Sequence, residues 1–427
     1  MEGYTMYKQI TEELLAFLKN SPSCFHAQAS AAEILRAHGF TELTEEAKWK
    51  LEKGGSYFVT RNASSLIAFT IPEEESEGYR ISASHSDSPT FKIKENPEIP
   101  VENHYIKLNA ERYGGMLCAP WFDRPLSIAG RVVVKEGTQY VTKLVNVDRD
   151  LVLIPNLAIH MNREVNDGYK YNAQKDMLPL YGDITAKDTF FQTIAEAAGV
   201  PEDSILGHDL FLYNRQPGTV WGASDEFVSS GRLDDLQCAF STLQGFLRGD
   251  KNKHISLYCL LDNEEVGSST RQGAASTFLY DTLMRINAFL GYDYEDYLVQ
   301  LAKGFMVSAD NAHAIHPNHT DMADPVNRPY LNEGIVIKYN ANQKYCTDGI
   351  SSSMFKDLCQ KTAVPYQIFT NRSDMLGGST LGNISNTKVS LRTVDIGLPQ
   401  LSMHSPYETA GVKDTWYLIQ VMKEFFA

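Results

Sequence analysis

The chain has 427 residues, more than a single hydrophobic core usually fills, so two domains are the starting expectation. Its composition is that of an ordinary soluble protein, 43% hydrophobic and 22% charged, and a formal net charge of −14 argues against nucleic acid or an anionic membrane as partner. No uninterrupted run of 18 apolar residues, no basic-then-apolar leader and no C-x-x-C pair among six scattered cysteines occurs, which excludes an obvious membrane span, a signal peptide, a disulfide framework and a thiolate zinc site, and makes a reducing cytoplasm the expected compartment.

In chain order, residues 5–38 show helical periodicity broken at "NSPS" (20–23), which predicts two helices. "YRISASHSD" (79–87) is strand-like and ends in His85 and Asp87. From about 95 to 216 the pattern alternates with period two, as in "GRVVVKEGTQYVTKLVNV" (130–147), with turn residues between the runs. From about 217 onward apolar strands alternate with helical patterns, the signature of βαβ units. The expected fold is therefore an α/β domain built from residues 1–94 and 217–427, interrupted by a smaller β-rich insertion over 95–216.

Candidate ligands recur where these elements begin or end. "GRLDDLQCAFSTLQGFL" (231–247) places Asp234 and Asp235 before a helical face. "ISLYCLLDNEE" (255–265), a near-continuous apolar run of the kind buried in parallel sheets, ends in Glu264 and Glu265. "FMVSAD" (305–310) ends in Asp310, and "QLSMH" (400–404) ends in His404. Singly, each has an ordinary explanation: a solvated turn for the paired glutamates, a helix cap for the paired aspartates or for Asp87, a satisfied core histidine for His404. Jointly, in an α/β sheet whose sites form at the carboxyl ends of strands, these residues can converge. Two histidines and several carboxylates without cysteine suit two divalent ions that share a bridging carboxylate. A pair of dications would also reverse the repulsion that otherwise disfavours Glu264 beside Glu265.

Ordered segments along nearly the whole chain are similar to the M18 (aspartyl aminopeptidase) family of co-catalytic metallopeptidases. They include "SPSCFHA" (21–27), "SASHSDSPTFKIK" (82–94), "WFDRPLSIAGRV" (121–132), "LAIHMNRE" (157–164), "SGRLDD" (230–235), "LDNEEVGS" (261–268), "SADNAHAIHPN" (308–318), "GGSTLGN" (377–383) and "PQLSMHSPYETAG" (399–411). The resemblance implies an α/β/α sandwich catalytic domain and a β-rich insertion for dimerisation. It implies two divalent ions per subunit, zinc first, with His85, Asp234 and Asp310 at one ion and Asp234, Glu265 and His404 at the other. Glu264 matches the family's general base and Asp87 the acid that orients His85. His160 matches a histidine that reaches a neighbouring subunit's active site, and His313 and Lys338 match substrate-binding positions, Lys338 as the cation for an acidic side chain. The implied activity is removal of N-terminal residues, acidic ones by the family's name, from short peptides, in dimers assembled into a dodecamer. Read without the resemblance, Lys338 in "IVIKYN" ends an apolar strand with its ammonium in water, and His160 is a loop histidine. Related co-catalytic sites also suggest a cis peptide between Asp234 and Asp235. One departure stands out: Asn383 occupies a position where the family often has proline. The alternatives are the same metal site acting on neutral N-terminal residues, deacylation or carboxypeptidase chemistry, and an inactive oligomeric scaffold or peptide-binding protein. Loss of Glu264 or Asp234 would signal the last of these, and both residues are present.

Overall fold

The computed structural model describes residues 2–427 and divides into two compact units. The first comprises Met1–Asp87, Gly218–Met403 and Glu408–Ala427, and the second Ser88–Pro217 with His404–Tyr407.

Among the described residues, the first unit is built on a nine-stranded mixed sheet. Its order is Thr41–Leu43, Ser56–Arg61, Ser65–Thr70, Ile255–Leu261, Tyr79–His85, Phe305–Ala309, Arg392–Gly397, Ile335–Tyr339 and Tyr366–Thr370. Alternation along each strand builds a core on both faces. Leu66, Ala68, Tyr258, Leu260, Phe305 and Val307 pack on one face against helices Glu2–Asn20, Cys24–Ala37, Leu233–Arg248, Gly349–Lys361 and Asp414–Phe425. Ile67, Phe69, Leu257, Cys259 and Met306 face the other way, against Phe278–Leu290 and Tyr294–Lys303. This is an α/β fold with helices on both sides of the sheet. The break at "NSPS" separates the two N-terminal helices, where Pro22 cannot continue the first.

The four central strands, Ile255–Leu261, Tyr79–His85, Phe305–Ala309 and Arg392–Gly397, run parallel, so their carboxyl ends lie along one edge. A small second sheet in this unit pairs Phe227–Ser230 with Glu408–Gly411 and Pro399–Leu401 with Ala312–His313.

The second unit carries a six-stranded antiparallel sheet in the order Gln139–Asn146, Leu126–Glu136, Ile205–Asn214, Thr90–Val101, Tyr105–Tyr113, Leu180–Asp183. Its own core includes Phe91, Ile93, Val132, Leu210 and Leu212, with Phe190 and Ile194 from helix Phe190–Ala198. It begins before the expected residue 95. Thr90–Val101 pairs with Tyr105–Tyr113, starting at Thr90 opposite Tyr113, and so belongs wholly to this sheet. Nothing in the alternation of "TFKIK" distinguishes it from the strand before it.

Candidate metal centre

The ends of the central strands and the start of helix Leu233–Arg248 bring five of the expected residues together. His85 closes its strand and is fully enclosed; its Nε2 lies 3.5 Å from Asp234 Oδ1 and 3.9 Å from Asp310 Oδ1. Its Nδ1 is 3.0 Å from the Asp87 carbonyl oxygen and 3.4 Å from Asp87 Oδ1. Asp87 therefore fixes the ring mainly through its backbone, because its carboxylate serves elsewhere. Oδ1 accepts the Glu264 N–H at 3.1 Å and Oδ2 the Glu265 N–H at 3.2 Å. One carboxylate thus holds the short 3₁₀ turn Glu264–Val266, entered through Asn263 at φ 63° and left through Gly267 at φ 94°.

Asp234 and Asp235 open the helix with non-helical backbone, and the peptide between them is cis. The N–H of Asp234 is accepted by Glu408 Oε2 at 3.0 Å, from a strand two residues of sequence beyond Pro406. Asp235 is wholly buried and takes the N–H of His85 at 3.0 Å and of Asn311 at 3.2 Å. Asp310 follows Phe305–Ala309 and donates its own N–H to the Ile396 carbonyl at 3.1 Å.

Ligand atoms of His85, Asp234, Asp235 and Asp310 all lie within 4.8 Å of one another, as do those of His85, Glu264 and Glu265. Such crowding raises the carboxylates. Burial, then the charges of Asp310, Asp87 and Asp234, push Glu264 up to about 8, with His85 acting in the opposite sense. Burial and the Asp234 charge likewise lift Glu265 far above the usual carboxylate range. A divalent ion would keep these groups ionised, since its field outweighs their mutual repulsion. The donors are imidazole nitrogen and carboxylate oxygen in buried, convergent array, the set that suits zinc-type ions. The Cys238 thiol instead donates to Asn311 Oδ1 at 3.1 Å. The residues fit the group.

Lys338 does not hold its ammonium in water, as its sequence read without the resemblance suggests. It is 3% exposed, donates to the Asn311 carbonyl at 2.8 Å, lies 3.7 Å from Asp310 Oδ2 and sits 5.5 Å from the centre of the Tyr345 ring. Burial disfavours its charge, but Asp310 and its neighbours more than restore it and raise its pKa. His313, exposed in Ala312–His313, packs its ring 6.0 Å from Phe369. Asn383 lies in helix Leu381–Ser385 and accepts the Ser379 hydroxyl at 2.9 Å, so it braces its own loop. His160 and His404 belong to the second unit. His160 is exposed in a turn, and His404 has a left-handed backbone at φ 67° with its carbonyl accepting the Leu117 N–H at 3.1 Å.

Sequence reasoning named Asp235 only as an acid opening a helix, and it missed Asn311 and Glu408 as parts of this site. Asp235 and Glu408 accept backbone N–H groups of distant segments, and Asn311 bonds the side chains of Gln237, Gln400 and Cys238; no local pattern announces such contacts.

The family model described as aminopeptidase I zinc metalloprotease (M18) matches residues 17–426. A probable M18 family aminopeptidase 2 of Clostridium novyi is 47% identical over 426 residues, covering 98% of both chains. One from Pseudomonas paraeruginosa is 40% identical over 99% of both. Among solved structures, a chain of the cryo-EM structure of the Ape4 and Nbr1 complex is similar with a TM-score of 0.95 and 36% identity, over 99% of this chain and 86% of that one. The S. cerevisiae mApe1 dodecamer is similar with a TM-score of 0.86 and 26% identity, over 98% and 97%.

Proposed function

The chain belongs to the M18 family of zinc metalloaminopeptidases, and from that premise we propose that it releases N-terminal residues, acidic ones by preference, from short peptides at a two-ion centre. The observation that carries this reading is the convergence of His85, Asp234, Glu264, Glu265 and Asp310 at the strand ends, with Asp87 tying the two glutamate amides in place. His85, Asp234 and Asp310 would hold one ion, and Asp234, Glu265 and His404 the other, the last by its match to the family. When bound, the ions supply Lewis acidity toward the scissile carbonyl and the attacking water.

The protein's own groups do the rest. Glu264 takes the water's proton and passes it to the leaving amine. Burial and the neighbouring carboxylates raise its proton affinity above that of an ordinary glutamate. Asp87 keeps Glu264 and His85 in register. His313 and, from a neighbouring subunit, His160 would line the substrate site. Lys338 would offer its remaining donor to an acidic side chain, but it also steadies Asp310, so replacing it would harm every substrate and would be a poor probe of preference. The likeness to the mApe1 dodecamer supports self-association, which would run through dimers to a dodecamer. Six scattered cysteines without a C-x-x-C pair support a reducing, cytoplasmic setting, and among the described residues no helix is long and apolar enough to cross a membrane.

The test is a panel of aminoacyl chromogenic substrates assayed with and without a chelator. Turnover of aspartyl and glutamyl substrates faster than leucyl, abolished by chelation and restored by zinc, is expected. Equal turnover of leucyl substrate would remove the acidic preference, and chelator-resistant turnover would remove the metal mechanism.

A further inference from the structure

We infer that Asp235 is a positioning residue that sets the separation between the metal-ligating ends of two parallel strands. The inference rests on the metal reading above.

Tyr79–His85 and Phe305–Ala309 pair in register from Arg80 opposite Phe305 to Ala83 opposite Ser308, and there the pairing stops. Past that point the buried N–H groups of His85 and Asn311 are taken by a side chain and not by the neighbouring strand, and a buried N–H left without an acceptor is costly. Asp235 supplies that side chain. Its Oδ2 accepts the N–H of His85 at 3.0 Å and its Oδ1 the N–H of Asn311 at 3.2 Å. A single planar carboxylate thereby bridges the two strand ends and fixes their spacing.

An acidic residue in a helix's first turn usually caps its own helix. Asp235 does not do this; both oxygens face other segments, and the residue is wholly buried. Although one of its oxygens falls within ligand range of His85, Asp234 and Asp310, both oxygens are already engaged by amides, which sets Asp235 apart from the ligands.

The Asn311 end is itself locked. Its Nδ2 donates to Gln237 Oε1 and Gln400 Oε1, both at 2.9 Å, its Oδ1 accepts from Cys238, and its carbonyl accepts from Lys338 at 2.8 Å. With every polar group of Asn311 occupied, the preceding Asp310 has little freedom. Asp235 couples that rigid end to His85.

The discriminating variants are D235N, which keeps the shape but replaces one acceptor oxygen by a donor, and D235A, which removes both. Metal content of the wild type is measured first, then zinc affinity of each variant by chelator competition, with melting temperature in metal-free and zinc-loaded forms. For D235N we expect a roughly 10- to 100-fold weaker zinc affinity, a kcat fall of similar size with KM little changed, and a larger loss for D235A. The metal-free melting temperature of D235N should move less than the zinc-loaded one. A wild type that binds no ion would sink the metal reading itself. Loaded wild type with D235N matching it in zinc affinity and kcat would sink only this inference. So would a D235N chain that cannot be recovered folded, or one whose two forms lose melting temperature equally at unchanged zinc affinity, since Asp235 would then support the fold and not the site.

Discussion

Two neighbouring glutamates share one backbone turn but have different surroundings. Glu264 and Glu265 receive the same support, one oxygen each of Asp87, at their amide nitrogens. What differs is their side-chain neighbours. Asp234 is the largest charge acting on Glu265, whereas Glu264 feels His85 first and then Asp310. A ligand sharing an ion with Asp234 and a free base beside it is the division of labour that hydrolysis requires, since a tightly coordinated carboxylate loses basicity. Glu264→Gln should therefore keep its zinc, measured by elemental analysis, while kcat falls by roughly 10² to 10⁴. Asp234→Ala should lose zinc and activity together, because Asp234 serves both proposed ions. Zinc lost equally from the two variants would reverse the roles given to the glutamates.

At the scale of elements, the site depends on how closely the central strands approach. Gly397 ends the strand that pairs beside Phe305–Ala309, and a Cβ there would overlap the Asp310 carbonyl oxygen and press on Asn311 and Ala312 backbone. Backbone cannot yield as a flexible side chain does, so Gly397→Ala should push the strand bearing Asp310 aside. We expect a stability loss of about 1 to 3 kcal/mol in urea unfolding, together with weakened zinc binding. An unchanged zinc affinity would mean that the Asp310 end tolerates displacement. This dependence was invisible in "VDIGLPQ", where the glycine reads as an ordinary strand end. What was legible were residues whose chemistry is local. Apolar runs ending in His85, Glu264 with Glu265, and Asp310 announced both the strands and the candidate site residues at their ends. The two N-terminal helices were legible from their break. Illegible were contacts that exist only after the strands assemble: Asp235 on two foreign amides, Glu408 on Asp234, and the turn of Lys338 inward to Asp310. "DD" before a helix has the same spelling whether it caps that helix or bridges two strands.

At the scale of the whole molecule, the second unit has a complete hydrophobic core of its own, yet it presents an unusual apolar loop. Ile159 and Met161, 47% and 73% exposed, flank His160 in a turn, with Leu157, 55% exposed, just before it. Apolar side chains clustered on an exposed loop suit burial against another copy, and a histidine among them would be carried into that interface. This is the physical support for the proposed sharing of His160 between subunits. His160→Ala should lower activity while leaving zinc content and the assembly, read by light scattering, unchanged. The sharper measurement is complementation. A dimer combining one His160→Ala chain with one Glu264→Gln chain contains one complete site, because the Glu264→Gln chain supplies its intact His160 to a partner whose base is intact. Random pairing of equal amounts gives mixed dimers half the time, so recovery should approach roughly a quarter of wild-type activity. Two nearly inactive preparations would become active on mixing. If subunit exchange is verified by mass and activity stays at the level of the separate variants, His160 acts within its own chain or only in assembly.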